Sequence, residues 1–261
     1  MKYGFIGLGN MASAIISGMV RSGIPGKDIL GYNRTEAKTL RLHEALGLTP
    51  CASADEVAER ADVIILAVKP QMLEDVMPSA AKGAGKSVLT IAAGKELSWY
   101  MARLPESTPV VRIMPNIAAR VGESQSAICG NEFADEAVLS VAERIFSSVG
   151  RVYRVQEKMF SAFSAICGAS GAFIYLYIDA LADAGVRAGF PRAFAQELAS
   201  GAVLGAAKLA QESGEHPIAL MNKVCSPGGT TIEGVMKLKQ LGFETAVQQA
   251  TQAVIDKDKL L

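Results

Sequence analysis

Short apolar runs separated by helical patterns fill the first 155 residues. Tyr3 to Ile6 predicts a strand, followed by an amphipathic helix running to about Arg21. A second strand is expected over Ile29 to Tyr32, with a helix continuing through Leu46. Asp55 to Arg60 reads as a helix, and Val63-Ile64-Ile65-Leu66-Ala67-Val68 as a strand buried on both faces of a sheet. Pro70 can open the next helix. Further strands are expected at Ser87 to Ile91, Val110 to Ile113 and Ser126 to Cys129, then a helix from Asp135 to Val149 and a last strand at Val152-Tyr153. This alternation predicts a doubly wound, Rossmann-type α/β domain over residues 1–155. After Gln156 no β-run follows. Met159 to Ile178 is 20 residues without a charge and predicts a helix buried on all sides, and Ala-rich helical patterns continue from Arg192 to Gln211. Residues 156–261 therefore read as an all-α domain.

Composition narrows the chemistry. Half the residues are hydrophobic, so a sizeable core can form. Lys plus Arg and Asp plus Glu number 26 each, and a neutral chain without a basic run is unsuited to a nucleic-acid backbone. Cys51, Cys129, Cys167 and Cys225 lie far apart, and His43 and His216 are too few for a His-rich site, so no metal is expected. Scattered thiols and an N-terminus unlike a secretory signal imply a reducing, cytoplasmic setting. The uncharged stretch is long enough to span a membrane, but Ser161, Ser164, Gly168, Ser170 and Gly171 interrupt it and no positive flank follows. A helix needing more cover than one subunit supplies is the preferred reading, which predicts a homodimer through this half.

Two glycine-rich loops carry the candidate chemistry. Gly7-Leu8-Gly9-Asn10-Met11-Ala12 lies directly between a strand and a helix. Gly7 suits a tight turn, Gly9 lets a pyrophosphate approach the backbone, and Ala12 lets the helix pack on the strand. The helix start then offers free N–H groups to the phosphates. The second strand ends in Asn33-Arg34-Thr35, without the acidic residue that would bind a ribose 2′-hydroxyl. A guanidinium beside neutral donors suits a 2′-phosphate, so NADPH is expected, with NADH as a tolerated alternative. Thr35 is also placed to cap the following helix. The strand ends Ala67-Val68-Lys69-Pro70, Ala92-Ala93-Gly94 and Met114-Pro115-Asn116 leave room for a flat nicotinamide and its ribose.

The second loop is Cys225-Ser226-Pro227-Gly228-Gly229-Thr230-Thr231, again before a helical pattern. Its amides and hydroxyls suit a carboxylate, although a threonine N-cap would explain part of it. Gly168-Ala169-Ser170-Gly171 is only loosely like a nucleophile elbow, with no strand before it. His216 is expected in a turn, His43 at the surface, and Cys225 as a packed thiol.

With these motifs in place, the chain resembles pyrroline-5-carboxylate reductase nearly end to end. The resemblance rests on Gly7 to Ala12, Ala67 to Pro70, Ala92 to Gly94 and Arg112-Ile113-Met114-Pro115-Asn116. It continues in Ala182-Asp183-Ala184-Gly185, Gly214-Glu215-His216-Pro217 and, most specifically, Ser226 to Thr231. It implies reduction of L-1-pyrroline-5-carboxylate to L-proline, the last step of proline biosynthesis. It implies NADPH on the first domain and dimerisation through the second, each active site forming between one subunit's cofactor domain and helices of the pair, with larger assemblies built from dimers. The substrate carboxylate is expected on Ser226, Gly228, Gly229, Thr230 and Thr231, and Thr231 is the candidate hydrogen-bond donor to the imine nitrogen. One segment departs: the family's Ser-Gly-Ser-Gly-Pro-Ala-Tyr reads Cys167-Gly168-Ala169-Ser170-Gly171-Ala172-Phe173 here. Two rival readings stay open, a β-hydroxyacid dehydrogenase and a non-catalytic NADP-binding regulator. The former generally carries a Lys followed three residues on by Asn, whereas Lys158 is followed by Ser161.

Overall fold

The computed structural model describes residues 1–258. The described chain forms two compact units, one reaching from Met1 to Gly168 and one from Ala169 to Asp256.

The first unit is built on an eight-stranded sheet of order β3-β2-β1-β4-β5-β6-β7-β8. The strands are β1 (Tyr3–Ile6), β2 (Ile29–Tyr32), β3 (Thr49–Pro50), β4 (Val63–Leu66), β5 (Ser87–Thr90), β6 (Val110–Met114), β7 (Ser124–Gly130) and β8 (Gly150–Arg154). Tyr3 pairs with Ile29 on one side and Val63 on the other, both in parallel. The order reverses at β1, and that switch point is where open α/β sheets bind ligands. Helices α1 (Asn10–Arg21), α2 (Glu36–Leu46) and α6 (Glu136–Ser147) cover one face through Ile15, Ile16, Leu42 and Phe146. Helices α3 (Ala54–Arg60), α4 (Leu73–Ala81) and α5 (Leu97–Met101) cover the other through Val57, Leu73, Met77 and Tyr100. The continuous apolar run at Val63 is thus buried from both sides, as periodicity implied.

Two features of this unit depart from the sequence reading. β6 and β7 pair antiparallel, Ile113 opposite Ile128. The segment joining them holds only a 3-10 turn, Ile117–Val121, and a crossover to a parallel neighbour needs about a dozen residues or more. Helix α5 is a further addition. Its periodicity is too brief to register, yet Tyr100 is fully buried and its hydroxyl meets Thr90 Oγ1 at 2.8 Å.

The division between units falls at Gly168, beyond the change in chain texture at Gln156. Glu157 explains part of this. Its Oε1 accepts from Leu97 N–H at 2.8 Å and from Arg112 Nη1 at 3.0 Å. Arg112 is buried, and its guanidinium lies 4.5 Å above the Phe160 ring. The first turns of the apolar segment are therefore stitched to β6.

That segment is not one regular helix. It consists of α7 (Phe160–Phe163), a π-turn over Ser164–Ala169, and α8 (Ser170–Arg187). Helices α9 (Arg192–Ser213), α10 (Pro217–Val224), α11 (Thr230–Gln240) and α12 (Phe243–Asp258) follow. The expectation of a helix buried on all sides is corrected within the chain: Tyr175 and Leu176 are 63% and 72% exposed. Small residues form the buried centre of the α8–α9 seam, where Ala182, Ala195 and Ala199 are flanked by Ile178 and Val186 and a Cβ on Gly185 would lie 3.1 Å from Ala195 Cβ. Close backbone approach fills that seam and turns the large side chains outward. They line an apolar groove of about 590 Å³ with Phe173, Leu176, Leu238 and Phe243. By length and composition, the helical run Glu157–Arg187 is apolar enough to cross a membrane.

Candidate active site

The first glycine-rich loop is held in place from three directions. Gly7 has φ +98°, and a Cβ there would lie 2.8 Å from the Ala67 carbonyl, so both the turn and the neighbouring strand require glycine. Its N–H donates to Tyr32 O at 2.8 Å. Leu8 N–H donates to Asn33 Oδ1 at 3.0 Å, while Asn33 Nδ2 donates to Thr35 O at 3.1 Å. Asn33 is thus a clamp between two loops, with Oδ1 and one Nδ2 hydrogen committed to backbone. Gly9 is the N-cap of α1, and a Cβ there would meet no atom within 4 Å. An open space stands against the N–H groups of Asn10, Met11 and Ala12, which begin the helix without intrahelical acceptors. This cradle fits a pyrophosphate. Ala12 is buried against the sheet, as its size suggested.

Arg34 is exposed, with no ion-pair partner among the described residues. It borders a cleft of about 290 Å³ with Ile6, Gly7, Tyr32, Ser53 and Met72. Asp55 and Asp75 also line it. Lys82 hydrogen-bonds Asp55 and holds its carboxyl below the usual carboxylate range, so its negative charge is matched. Thr35 takes the N-cap position of α2 without a capping bond from its side chain. The side-chain capping bond expected of it is not formed.

A second cleft, about 470 Å³, lies across the strand ends. It brings Gly9, Asn10, Met11 and Ala12 together with Ala67, Val68, Lys69 and Ala93. Lys69 is the one charged residue on its wall. Ala92 is buried behind the cleft, Pro70 opens a 3-10 turn, and Gly94 takes φ +79° in the turn beyond. Asn116, expected at the cofactor, is held by protein partners. Its N–H donates to Ser124 Oγ at 3.1 Å, its Oδ1 accepts from Ala118 N–H at 3.2 Å, and its Nδ2 donates to Cys167 O at 2.7 Å. It anchors the π-turn instead. Ser164 and Gly168 of that turn line the cleft, a placement that sequence reasoning missed. The only signal was their position inside an otherwise uncharged run.

In the second unit, Ser226 to Gly229 form a β-turn. Gly229 N–H donates to Ser226 O at 3.0 Å, Pro227 occupies the second position and Gly228 the third, with φ +67°. A Cβ on Gly229 would press on the Ser226 hydroxyl and carbonyl. The positive φ is what asks for glycine at 228. The turn also spends the Gly229 amide, which corrects the expectation that this N–H binds a carboxylate. Gly229 is the N-cap of α11, so Thr230 and Thr231 are its first two helical residues and neither hydroxyl is the cap. Both are exposed, and their amides point out of a helix start as an anion site requires.

The remaining candidates are structural. His216 caps α10, its Nδ1 accepting from Ile218 N–H at 3.2 Å. His43 is exposed, with Nδ1 2.7 Å from Leu48 O. All four cysteines are free thiols. Burial pushes the Cys129 thiol up to about 12, with Glu157 adding to the effect, and raises Cys51 and Cys167 as well. These three are poor nucleophiles at neutral pH.

Comparison with known proteins gives the same division of labour. The family described as pyrroline-5-carboxylate reductase dimerisation matches residues 157–261. The family described as NADP oxidoreductase coenzyme F420-dependent matches residues 2–94. The pyrroline-5-carboxylate reductase of Escherichia coli (strain K12) is 38% identical over 264 aligned positions, covering 100% of this chain and 98% of that protein. The structure of a pyrroline-5-carboxylate reductase from Coxiella burnetii superposes with TM-score 0.93 at 29% identity, covering 99% of this chain and 97% of the other. That of the Plasmodium falciparum enzyme, solved with NADP bound, gives 0.89 at 27% identity, covering 100% and 97%.

Proposed function

The chain belongs to the pyrroline-5-carboxylate reductase family, and from that premise we propose that it reduces L-1-pyrroline-5-carboxylate to L-proline with NADPH. The observation that carries this reading is a glycine-capped helix start in each unit, at Gly9 and at Gly229, in a chain akin to these reductases over its whole length.

NADPH, when bound, supplies the hydride that saturates C5 of the imine. The chain's own residues hold and orient. The amides of Asn10, Met11 and Ala12 receive the pyrophosphate, and Arg34 with Thr35 receives the 2′-phosphate. Gly7, Leu8 and Asn33 fix the loop. The strand ends at Ala67, Val68, Lys69, Pro70, Ala92, Ala93 and Gly94 shape the floor for the nicotinamide, supported from behind by Asn116. The amides of Thr230 and Thr231 receive the substrate carboxylate, in the turn set by Ser226, Gly228 and Gly229. Placement of this kind contributes much of the rate of a hydride transfer. Thr231 Oγ donates to the nitrogen of the neutral imine, and accepts from its N–H once that nitrogen is protonated. A neutral hydroxyl polarises that nitrogen but gives up no net proton, so the substrate enters as the iminium or is protonated from water.

The exposed apolar face of α8 and the groove beside it suit pairing with a second copy, so the working enzyme is a homodimer or an assembly of dimers. The same pairing accounts for the apolar run Glu157–Arg187 without a membrane. Scattered free thiols fit a cytoplasmic enzyme.

Steady-state assays following the reduced-nicotinamide absorbance test the assignment. Wild-type protein consumes NADPH only when the imine is present. Thr231→Ala raises the KM for the imine about five- to tenfold, the loss of roughly 1 kcal/mol of hydrogen bonding, and leaves NADPH affinity unchanged. Unaltered imine kinetics in that variant would exclude Thr231 from the site.

A further inference from the structure

A third depression in the first unit belongs to neither cofactor cleft. It lies on the outer side of α1, has a volume of about 350 Å³, and is lined by Asn10, Ser13, Ser17, Arg21, Arg41 and Arg120. Its arginines come from three separate elements: α1, α2 and the 3-10 turn at Ile117–Val121. It shares Asn10 with the cleft across the strand ends but none of its arginines.

What marks this groove is that three arginines without ion pairs line it together. The chain has equal numbers of cationic and anionic residues. Arg60, Arg103, Arg112, Arg154 and Arg192 are each paired with a carboxylate. Arg21, Arg41 and Arg120 form no ion pair or hydrogen bond among the described residues, and no acidic side chain lines the groove. Three guanidinium groups cannot discharge by losing protons, so their convergence leaves a positive potential that only an anion can offset. A second observation points the same way. Ser13 Oγ is shielded from solvent and has no hydrogen-bond partner. The neighbouring Ser17 Oγ is already committed to Ser13 O at 2.8 Å. Ser13 lines the groove, and a rotation of its side chain would bring this orphaned donor to an oxyanion seated among the arginines. The volume lies in the range of small-ligand clefts, and planar forks match phosphate oxygens two at a time.

We infer that this groove is a binding site for a multiply charged phosphate anion, of the di- or triphosphate class, separate from the cofactor's own phosphate contacts. Inorganic tripolyphosphate is the direct probe. It is titrated calorimetrically into the full chain already saturated with NADPH, at low ionic strength, where exposed charge pairs are least screened. Saturable binding is expected alongside the cofactor. The double variant Arg41→Gln/Arg120→Gln is expected to weaken it at least about tenfold, the loss of charge-assisted hydrogen bonds, while binding NADPH as the wild type does, which also reports that the variant is folded. Three results would overturn the inference: no binding to the NADPH-saturated protein, displacement of NADPH by tripolyphosphate, or equal affinity in the double variant.

Discussion

Arg34 and Asn33 are neighbours at the end of β2, yet they do different things. Arg34 has no protein partner and borders the adenosine-sized cleft, whereas both polar atoms of Asn33 are bound to backbone. Arg34→Gln is therefore expected to raise the KM for NADPH about ten- to a hundredfold, from loss of hydrogen bonds to a charged group, and to change that for NADH little. Steady-state kinetics with both cofactors check it, and an equal rise for the two would remove Arg34 from the 2′-phosphate. The residue types at Gly7, Ala12 and Gly228 were legible, because a positive φ or close packing asks for a small residue at each. Asn33, Asn116 and Gly229 were less legible. A sequence shows that a group can donate or accept, but not that a loop 25 residues away has already claimed it, as Leu8 claims Asn33.

At the level of elements, the ends of β1, β4 and β5 and the starts of α1 and α11 were readable from hydrophobic runs broken by glycine. The antiparallel turn into β7 and the π-turn at Ser164–Ala169 were not. Both depend on where the next element docks, which local periodicity does not encode. The short helix that leads into the π-turn is held by the Arg112–Glu157 pair, with Arg112 stacked on Phe160. Glu157→Ala strands the buried guanidinium and should lower unfolding free energy by about 3 kcal/mol. Replacing both, as Arg112→Met/Glu157→Leu, should cost clearly less, because no unpaired charge remains. Urea denaturation of the two variants measures the difference. A double variant as unstable as the single one would argue against a desolvation penalty as the cause.

On the scale of the whole molecule, the two units carry opposite surfaces. The first buries its large apolar side chains in two cores flanking the sheet. The second leaves Tyr175, Leu176, Leu204 and Leu241 exposed, each by more than 60%. Burying one such side chain is worth roughly 2 kcal/mol, so several together favour association. Light scattering at micromolar concentration should give a dimer or a multiple of it, and a monomer would contradict this. The zero net charge also takes on a meaning here. In the proposed mechanism anionic ligands are met by local helix starts and a few unpaired arginines, not by a basic surface. The central claim is that hydride passes from NADPH to C5 of the cyclic imine. NADPH carrying deuterium in both positions at nicotinamide C4, incubated with enzyme and L-1-pyrroline-5-carboxylate, tests it most directly. Proline with one deuterium, at C5, is the expected product by mass spectrometry and NMR. Unlabelled proline, or no proline while NADPH persists, would contradict it.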